Sequence, residues 1–280
     1  MPGRDGVVGV KARALVFDLF GDYLRGRDGA VRLRGLVALM DCFGVPESTV
    51  RVAVTRLRKE GWLTSRRDGR ETTYLLTEDA WRLLDERRSR LFHRGGEAWD
   101  GQWRMAIYSV PESERALREQ LRKQLSWLGF GPLSSSVWVS PRDTLEQLRA
   151  HAEHQPAIRL DIFHTESEGR AADLDIAARA WDLTALDRGY ARLLDHYRPL
   201  LPGYRAGTLT DRDALVERMR LLHDYRMYPL RDPDLPAELL PAGWPGPASH
   251  QVFLEAHELL RAPAEAWVDQ LLGATTGSPV

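Results

Sequence analysis

Residues 47–76 read ESTVRVAVTRLRKEGWLTSRRDGRETTYLL, and this stretch decides how the front of the chain is built. At 100° per residue, Val50, Ala53, Val54 and Leu57 fall on one side of a helix from about Glu47 to Glu60, with Ser48 and Thr49 in its first turn and Gly61 as its stop. Trp62-Leu63 then lead into a strand, Asp68-Gly69 supplies a turn, and Thr72 to Leu76 return as a second strand. Away from the apolar stripe stand Ser48, Arg51, Val52, Thr55 and Lys59, flanked by Arg56 and Arg58. Such a face suits a DNA major groove. Arginine pairs with guanine O6 and N7, a small apolar group meets a thymine methyl, and Ser, Thr and Lys hold phosphates. Arg66, Arg67 and Arg70 surround the hairpin tip, where long cationic side chains reach the backbone or a narrow minor groove.

Working outward, Ala12, Leu15, Val16, Leu19 and Tyr23, and then Leu33, Leu36, Val37 and Met40, keep helical spacing, and Gly44 ends the second helix. Three helices and a basic hairpin in this order form the winged helix-turn-helix signature, assigned here to residues 1–93. A solvated basic helix beside a solvated hairpin is the plain alternative, and the order of elements favours DNA. The net charge of -1 conceals an uneven distribution. Residues 1–93 hold 18 Lys and Arg against 13 Asp and Glu, and the remainder holds 21 against 27, so a polyanion is expected at the front.

The middle segment, residues 98–169, opens with Trp103 to Tyr108 as a buried strand. A helix follows with Leu117, Leu121, Leu125 and Leu128 toward the core and Gly129 at its end. Next come a short strand within Phe130–Ser134, a strand around Val137-Trp138-Val139, and a helix opened by the capping-box pattern Thr144-x-x-Gln147. Ile158, Leu160 and Ile162 then alternate as a last strand. The order is that of a ferredoxin-like βαββαβ unit. From 171 to 275 the pattern is mostly helical, interrupted by the proline-rich stretch Tyr228–Pro247, which reads as an ordered loop or clasp. The fold class is therefore α+β in three parts.

At 280 residues the chain is long enough for several cores. No apolar run approaches the roughly 20 residues of a membrane span, and the opening MPGRDGVVGVKAR lacks a secretory stretch, so a cytoplasmic protein without membrane contact is expected. The single cysteine, Cys42, lies in an apolar helical pattern and reads as a small core residue. His151 and His154 flank Glu153 near a helix end, yet no further ligands follow at recognisable spacing, so neither a metal nor a resident cofactor is expected. There is no Gly-x-Ser-x-Gly elbow, no phosphate loop and no dinucleotide fingerprint, which argues against an enzyme.

With these residues in view, the sequence resembles the PaaX family of phenylacetate-degradation repressors over nearly its whole length. The resemblance rests on the shared order of several pieces. They begin with Leu19-Phe20-Gly21-Asp22-Tyr23, Val50-Arg51-x-Ala53-Val54-x-Arg56-Leu57 with Gly61-Trp62-Leu63, and Trp99-Asp100-Gly101-x-Trp103. They continue with Leu125-x-Trp127-x-Gly129-Phe130-Gly131, His223-x-Tyr225-Arg226, Asp232-Pro233-x-Leu235-Pro236, Leu239-Leu240-Pro241 and Trp244-Pro245-Gly246. It implies a homodimeric repressor that leaves double-stranded operator DNA when an aryl-coenzyme A thioester such as phenylacetyl-coenzyme A binds the C-terminal part. The family's middle domain is similar to small CRISPR-associated ferredoxin-like proteins, some with a metal-binding aspartate at the end of the first strand. This chain has Tyr108-Ser109-Val110 there and no carboxylate before Glu112, which weighs against a metal-dependent nuclease or hydrolase.

In the rear, His223, Tyr225 and Arg226 offer the cation and aromatic wall that an acyl-coenzyme A ligand needs. They equally suit a clasp between the proline-rich loop and the last helices. Trp244 serves either as a core anchor or as a stacking surface for the same ligand. A DNA-binding adaptor without any ligand is the remaining alternative, and it would use the acidic rear as a protein-binding surface.

Overall fold

A computed structural model describes residues 12–69, 71–94, 98–153 and 155–276, whose contacts gather into two units that do not follow chain order. The first unit draws on residues 1–92, 193–227 and 250–280, and the second on 93–192 and 228–249. The first begins with α1 (Ala12–Leu19), which continues through a π turn at Phe20–Leu24. Then come β1 (Ala30–Arg32), α2 (Leu33–Asp41), α3 (Glu47–Lys59), β2 (Leu63–Asp68), β3 (Glu71–Leu76) and α4 (Glu78–Phe92). The strands form an antiparallel sheet in the order β1-β3-β2. Two of these elements, β1 and α4, are additions to the three helices and hairpin expected from spacing. The turn also sits one residue later than expected. Asp68 pairs with Glu71, so the two-residue loop starts at Gly69, whose φ of 59° meets the demand of such loops for a left-handed first residue.

The second unit opens with β4 (Trp103–Ser109), followed by α5 (Arg115–Trp127), β5 (Gly131–Pro132), β6 (Val137–Ser140), α6 (Leu145–Glu153) and β7 (Arg159–Thr165). The sheet runs β5-β6-β4-β7 with every pairing antiparallel. Central β4 buries one face, Arg104, Ala106 and Tyr108, and half-buries the other, where Trp103 alone is fully covered. Ala106 and Tyr108 join Leu121 and Leu125 of α5 and Leu148 of α6, whereas Trp103 donates through Nε1 to Asp173 at 2.7 Å on α7 (Arg170–Ala180). The Thr144 hydroxyl donates to the Leu128 carbonyl at 3.1 Å, and the Leu145 amide is met by Asp143, so the expected capping box gives way to a tertiary bond. The proline-rich stretch is held by its acids. Asp232 Oδ2 accepts from Arg94 at 2.5 Å and from the Tyr190 hydroxyl at 2.7 Å, while Asp234 pairs with Arg142 at 2.5 Å.

The remaining helices are α8 (Leu183–Tyr197), α9 (Leu201–Arg205), α10 (Asp211–Arg226), α11 (Gly246–Leu259) and α12 (Arg261–Thr276). Leu215 and Met219 of α10 and Ala264 and Val268 of α12 are buried in one cluster with Val16, Leu19, Leu36, Met40, Val54 and Leu57. Two late helices thus complete the core beneath α1, α2 and α3. Cys42 is buried within it and accepts from the Trp267 indole at 3.3 Å.

This core contains charge. Asp22 forms an ion pair with Arg218 at 3.2 Å and meets His257 Nε2 at 3.1 Å, and all three side chains are about 95% buried. Burial pushes the His257 pKa down, so the imidazole is neutral. Its Nδ1 faces the Arg218 guanidinium at 3.3 Å and can only accept there, which leaves the ring proton on Nε2 toward Asp22. Asp18, one turn earlier, pairs with Arg226. Burial outweighs that partner, and with the neighbouring Asp22 charge it pushes Asp18 up to about 7.

A folded-state value above the unfolded one means the native chain holds this proton after the unfolded chain has released it. The stabilisation is complete below about pH 4 and is lost as pH rises through about 7. The histidines His223 and His257 are shifted down and act in the opposite sense, but they are common to wild type and variant. Relative to Asp18→Asn, the wild-type protein is expected to lose on the order of 2–4 kcal/mol between these limits, read from urea unfolding at a series of pH values. Parallel pH profiles for the two proteins would contradict it.

Candidate nucleic-acid interface

Pro46 enters α3 in an extended conformation, φ -69° and ψ 151°, and its carbonyl accepts the Thr49 amide at 2.9 Å. Glu47 lies in the first turn and Arg56, Arg58 and Lys59 in the last, each favourable to the helix dipole. Gly61 stops the helix at φ 77° with open space around it, so the backbone conformation, not crowding, demands glycine. Trp62 then folds back, its amide donating to the Leu57 carbonyl at 2.9 Å.

Val50, Ala53, Val54 and Leu57 are 0–5% exposed, whereas Ser48, Thr49, Arg51, Val52, Thr55, Arg56, Arg58 and Lys59 all face solvent. The spacing argument therefore separated the two faces residue by residue. Val52 is 58% exposed, an apolar side chain on an otherwise polar surface. Thr55 donates its hydroxyl proton to the Arg51 carbonyl at 2.7 Å, which leaves its methyl and the accepting side of the oxygen to offer. Arg51 is engaged by Glu47 through Nε at 2.8 Å and Nη2 at 2.6 Å, so it must exchange that carboxylate for any base or phosphate. Among the described residues, Arg56, Arg58, Lys59, Arg66 and Arg67 make no ion pair.

Beside α3, Arg66 and Arg67 pair across the hairpin with Thr73 and Thr72 and are exposed. Arg70, also expected at the tip, lies outside the described residues. Spacing passed over Arg32 and Arg34, which flank the junction of β1 and α2 and line a cleft shared with Arg51. Their available signal was Arg-Leu-Arg at the head of the second helix.

The rear candidates are engaged inside their own units. Tyr225 is buried, stacked on Phe253 with ring centroids 4.0 Å apart, and its hydroxyl meets His250 Nδ1 at 2.8 Å. Arg226 faces Asp18 and also His223 Nδ1 at 3.0 Å, and burial together with that guanidinium lowers the His223 pKa. Trp244 belongs to the second unit, half-buried and edge-on to Tyr190 with ring centroids 6.0 Å apart. Tyr108, near the end of β4, donates to the Ser135 carbonyl at 2.9 Å and accepts from Arg122 at 3.0 Å. His154 lies outside the described residues, among which no three His, Cys, Asp or Glu side chains group to hold a metal. No described helix is long and apolar enough to cross a membrane.

Three family models match the chain. A PaaX-like protein model matches residues 11–80, the PaaX protein central Cas2-like domain matches 96–177, and the PaaX-like protein C-terminal domain matches 181–270. The chain is 32% identical over 270 residues to the transcriptional repressor PaaX of Escherichia coli (strain K12), spanning 94% of this chain and 84% of that protein. It is also similar to the solved structure of an uncharacterized protein, Rv0674, from Mycobacterium tuberculosis. That match has a TM-score of 0.59 and 26% identity, and covers 95% of this chain and 99% of the other.

Arg51→Ala is expected to weaken binding to a selected duplex by about 1–3 kcal/mol and to spare random duplex. Arg67→Ala should weaken both equally and lower the slope of log affinity against log salt by about one. Anisotropy titrations over a range of salt separate the two. Equal losses on both duplexes for Arg51→Ala would place the reading face elsewhere.

Proposed function

The chain belongs to the PaaX family, and from that premise we propose that it is a DNA-binding transcriptional regulator that represses an aromatic-acid, phenylacetate-type catabolic operon. The family is one of regulators, not enzymes. The observation that carries the reading is the division of α3 into four buried apolar residues and an exposed face of cations, hydroxyls and small apolar groups. Helices α1, α2 and α3 with the sheet β1-β3-β2 suit a winged helix-turn-helix. In that reading α3 lies in the major groove and the β2-β3 hairpin meets the backbone through Arg66 and Arg67. The element order and all-antiparallel sheet of the second unit suit a ferredoxin-like domain.

One such module buries too little DNA surface for tight binding, so the protein acts as a homodimer on a palindromic operator in the cytoplasm. Its effector is an aryl-coenzyme A thioester such as phenylacetyl-coenzyme A, a choice supported by family membership. The thioester favours a dimer whose two α3 helices no longer match successive major grooves, and full release requires a preference of about 5 kcal/mol for that state. The chemistry runs through binding alone: Arg51 and the small groups of α3 select bases, Arg66 and Arg67 neutralise phosphates, and no covalent step is involved.

The test is binding of the purified protein to DNA from upstream of its own gene, at fixed salt, with and without a panel of aryl- and acyl-coenzyme A thioesters. Specific binding released by an aryl thioester is the expected result. Specific binding indifferent to every thioester would remove the effector and favour the adaptor, and failure to prefer that DNA over random duplex would overturn the regulator.

A further inference from the structure

Between the end of β1, the first turn of α2, the first turn of α3 and the start of β3 lies a cleft of about 340 Å³. Three guanidiniums line it, those of Arg32, Arg34 and Arg51, against two carboxylates, Glu47 and Glu71. Glu71 sits between two of the cations: Oε2 is 3.0 Å from Arg32 Nη1 and Oε1 is 3.0 Å from Arg34 Nε. The third cation is held by Glu47. Thr72 adds its side chain to the lining, and α2 begins here without a side-chain cap on its amides. One anion whose two oxygens each lie 3.0 Å from a guanidinium nitrogen is the arrangement of a bridging oxyanion, and a phosphate has the oxygens and the charge to occupy the same seat.

We propose that this cleft is a seat for a backbone phosphate of the bound duplex, and that Glu71 is its resident counter-anion, displaced when DNA arrives. The proposal rests on the reading of α3 as the groove helix. Arg51 belongs both to the exposed face of that helix and to the lining of the cleft, so a duplex engaged by α3 passes its own phosphates beside Arg32 and Arg34. The five charged side chains are all 35–59% exposed, which lets Glu71 swing away without unpacking the core. Free protein is thereby kept from holding Arg32 and Arg34 uncompensated side by side; a phosphate takes over these two cations, while Arg51 is left to the bases. DNA, with many phosphates in fixed array, competes for a seat that the single tethered carboxylate otherwise fills. Glu71 sets the threshold for every DNA sequence alike, because phosphates carry no sequence information.

The test uses the full chain in equilibrium titrations with its upstream DNA and with random duplex across a salt series, for wild type, Glu71→Gln and Arg34→Gln. Glu71→Gln is expected to tighten binding to both duplexes by roughly threefold to tenfold, since neutralising the competitor leaves the cations to the phosphate. A merely structural ion pair would give weaker or unchanged binding, so partial unfolding cannot imitate this result. Arg34→Gln is expected to weaken both duplexes equally and to lower the salt slope by about 0.9. If wild type binds DNA and both variants match it in affinity and slope, the cleft is not a phosphate seat. A change confined to one duplex would make it a base contact and overturn the proposal. Calorimetry with inorganic pyrophosphate supplies a further arm: uptake abolished in Arg34→Gln, with DNA affinity unchanged, would assign the cleft to a small free anion instead. Wild type that binds neither duplex would overturn the reading of α3 and this proposal together.

Discussion

The Asp22 carboxylate, shut away from water with Arg218 and His257, is the constraint on which the first unit depends. A buried charge is tolerated only when its partners are in place, and removing one partner of such a pair typically costs about 3–5 kcal/mol. Here the partners lie on α10 and α11, some two hundred residues beyond α1 along the chain. Tyr23 adds a second hold, its ring carrying the Arg218 guanidinium 5.1 Å from the centroid. The Phe-Gly-Asp-Tyr stretch of the first helix is thereby tied to the late helices by charge as well as by packing.

This tie reaches α3 because α1 is also its floor. Val16 and Leu19 share a cluster with Val54 and Leu57, and Leu215, Met219, Ala264 and Val268 enter the same cluster from α10 and α12. Helix α3 therefore rests on a core that late residues help to fill. A displacement of α10 cannot be absorbed locally, since Arg218 and Arg226 would leave Asp22 and Asp18 without compensation. Close-packed cores respond to such displacements by switching between arrangements, not by gradual deformation.

The second unit meets a similar problem in a stretch with little regular secondary structure, where Asp232 is itself buried. A proline-rich stretch forms few backbone hydrogen bonds of its own, so side chains fix it: Asp232 gathers Arg94 and the Tyr190 hydroxyl, and Asp234 gathers Arg142. At the head of the sheet, Asp100 takes Arg104 in a two-pronged pair at 2.8 and 2.7 Å. The hydrogen bonds from Arg104 pull the Asp100 pKa down to about 2. The aspartates of the Trp-Asp-Gly-x-Trp and Asp-Pro-x-Leu-Pro pieces are thus structural clamps, a role that their spacing alone did not reveal.

What the sequence determined by itself was whatever repeats within a few residues. The 100° spacing of Val50, Ala53, Val54 and Leu57 separated the buried face of α3 from its exposed face, and Gly61 and Gly129 marked helix ends where φ is 77° and 87°. Alternating Ile158, Leu160 and Ile162 marked the last strand, which packs on the core of the second unit. Elements with weak local signals escaped: β1 has three residues and buries only Val31, and α4 is so charged that only Ala80 and Leu91 are buried. Tertiary structure alone decided that Asp18 and Asp22 meet Arg226 and Arg218, that Thr144 bonds Leu128 and leaves its capping role, and that Glu71 bridges Arg32 and Arg34. The reason is physical. A face of a helix is written in residues that are neighbours along the chain, whereas the partner of a charge is chosen by which elements pack together, and nothing local records that choice.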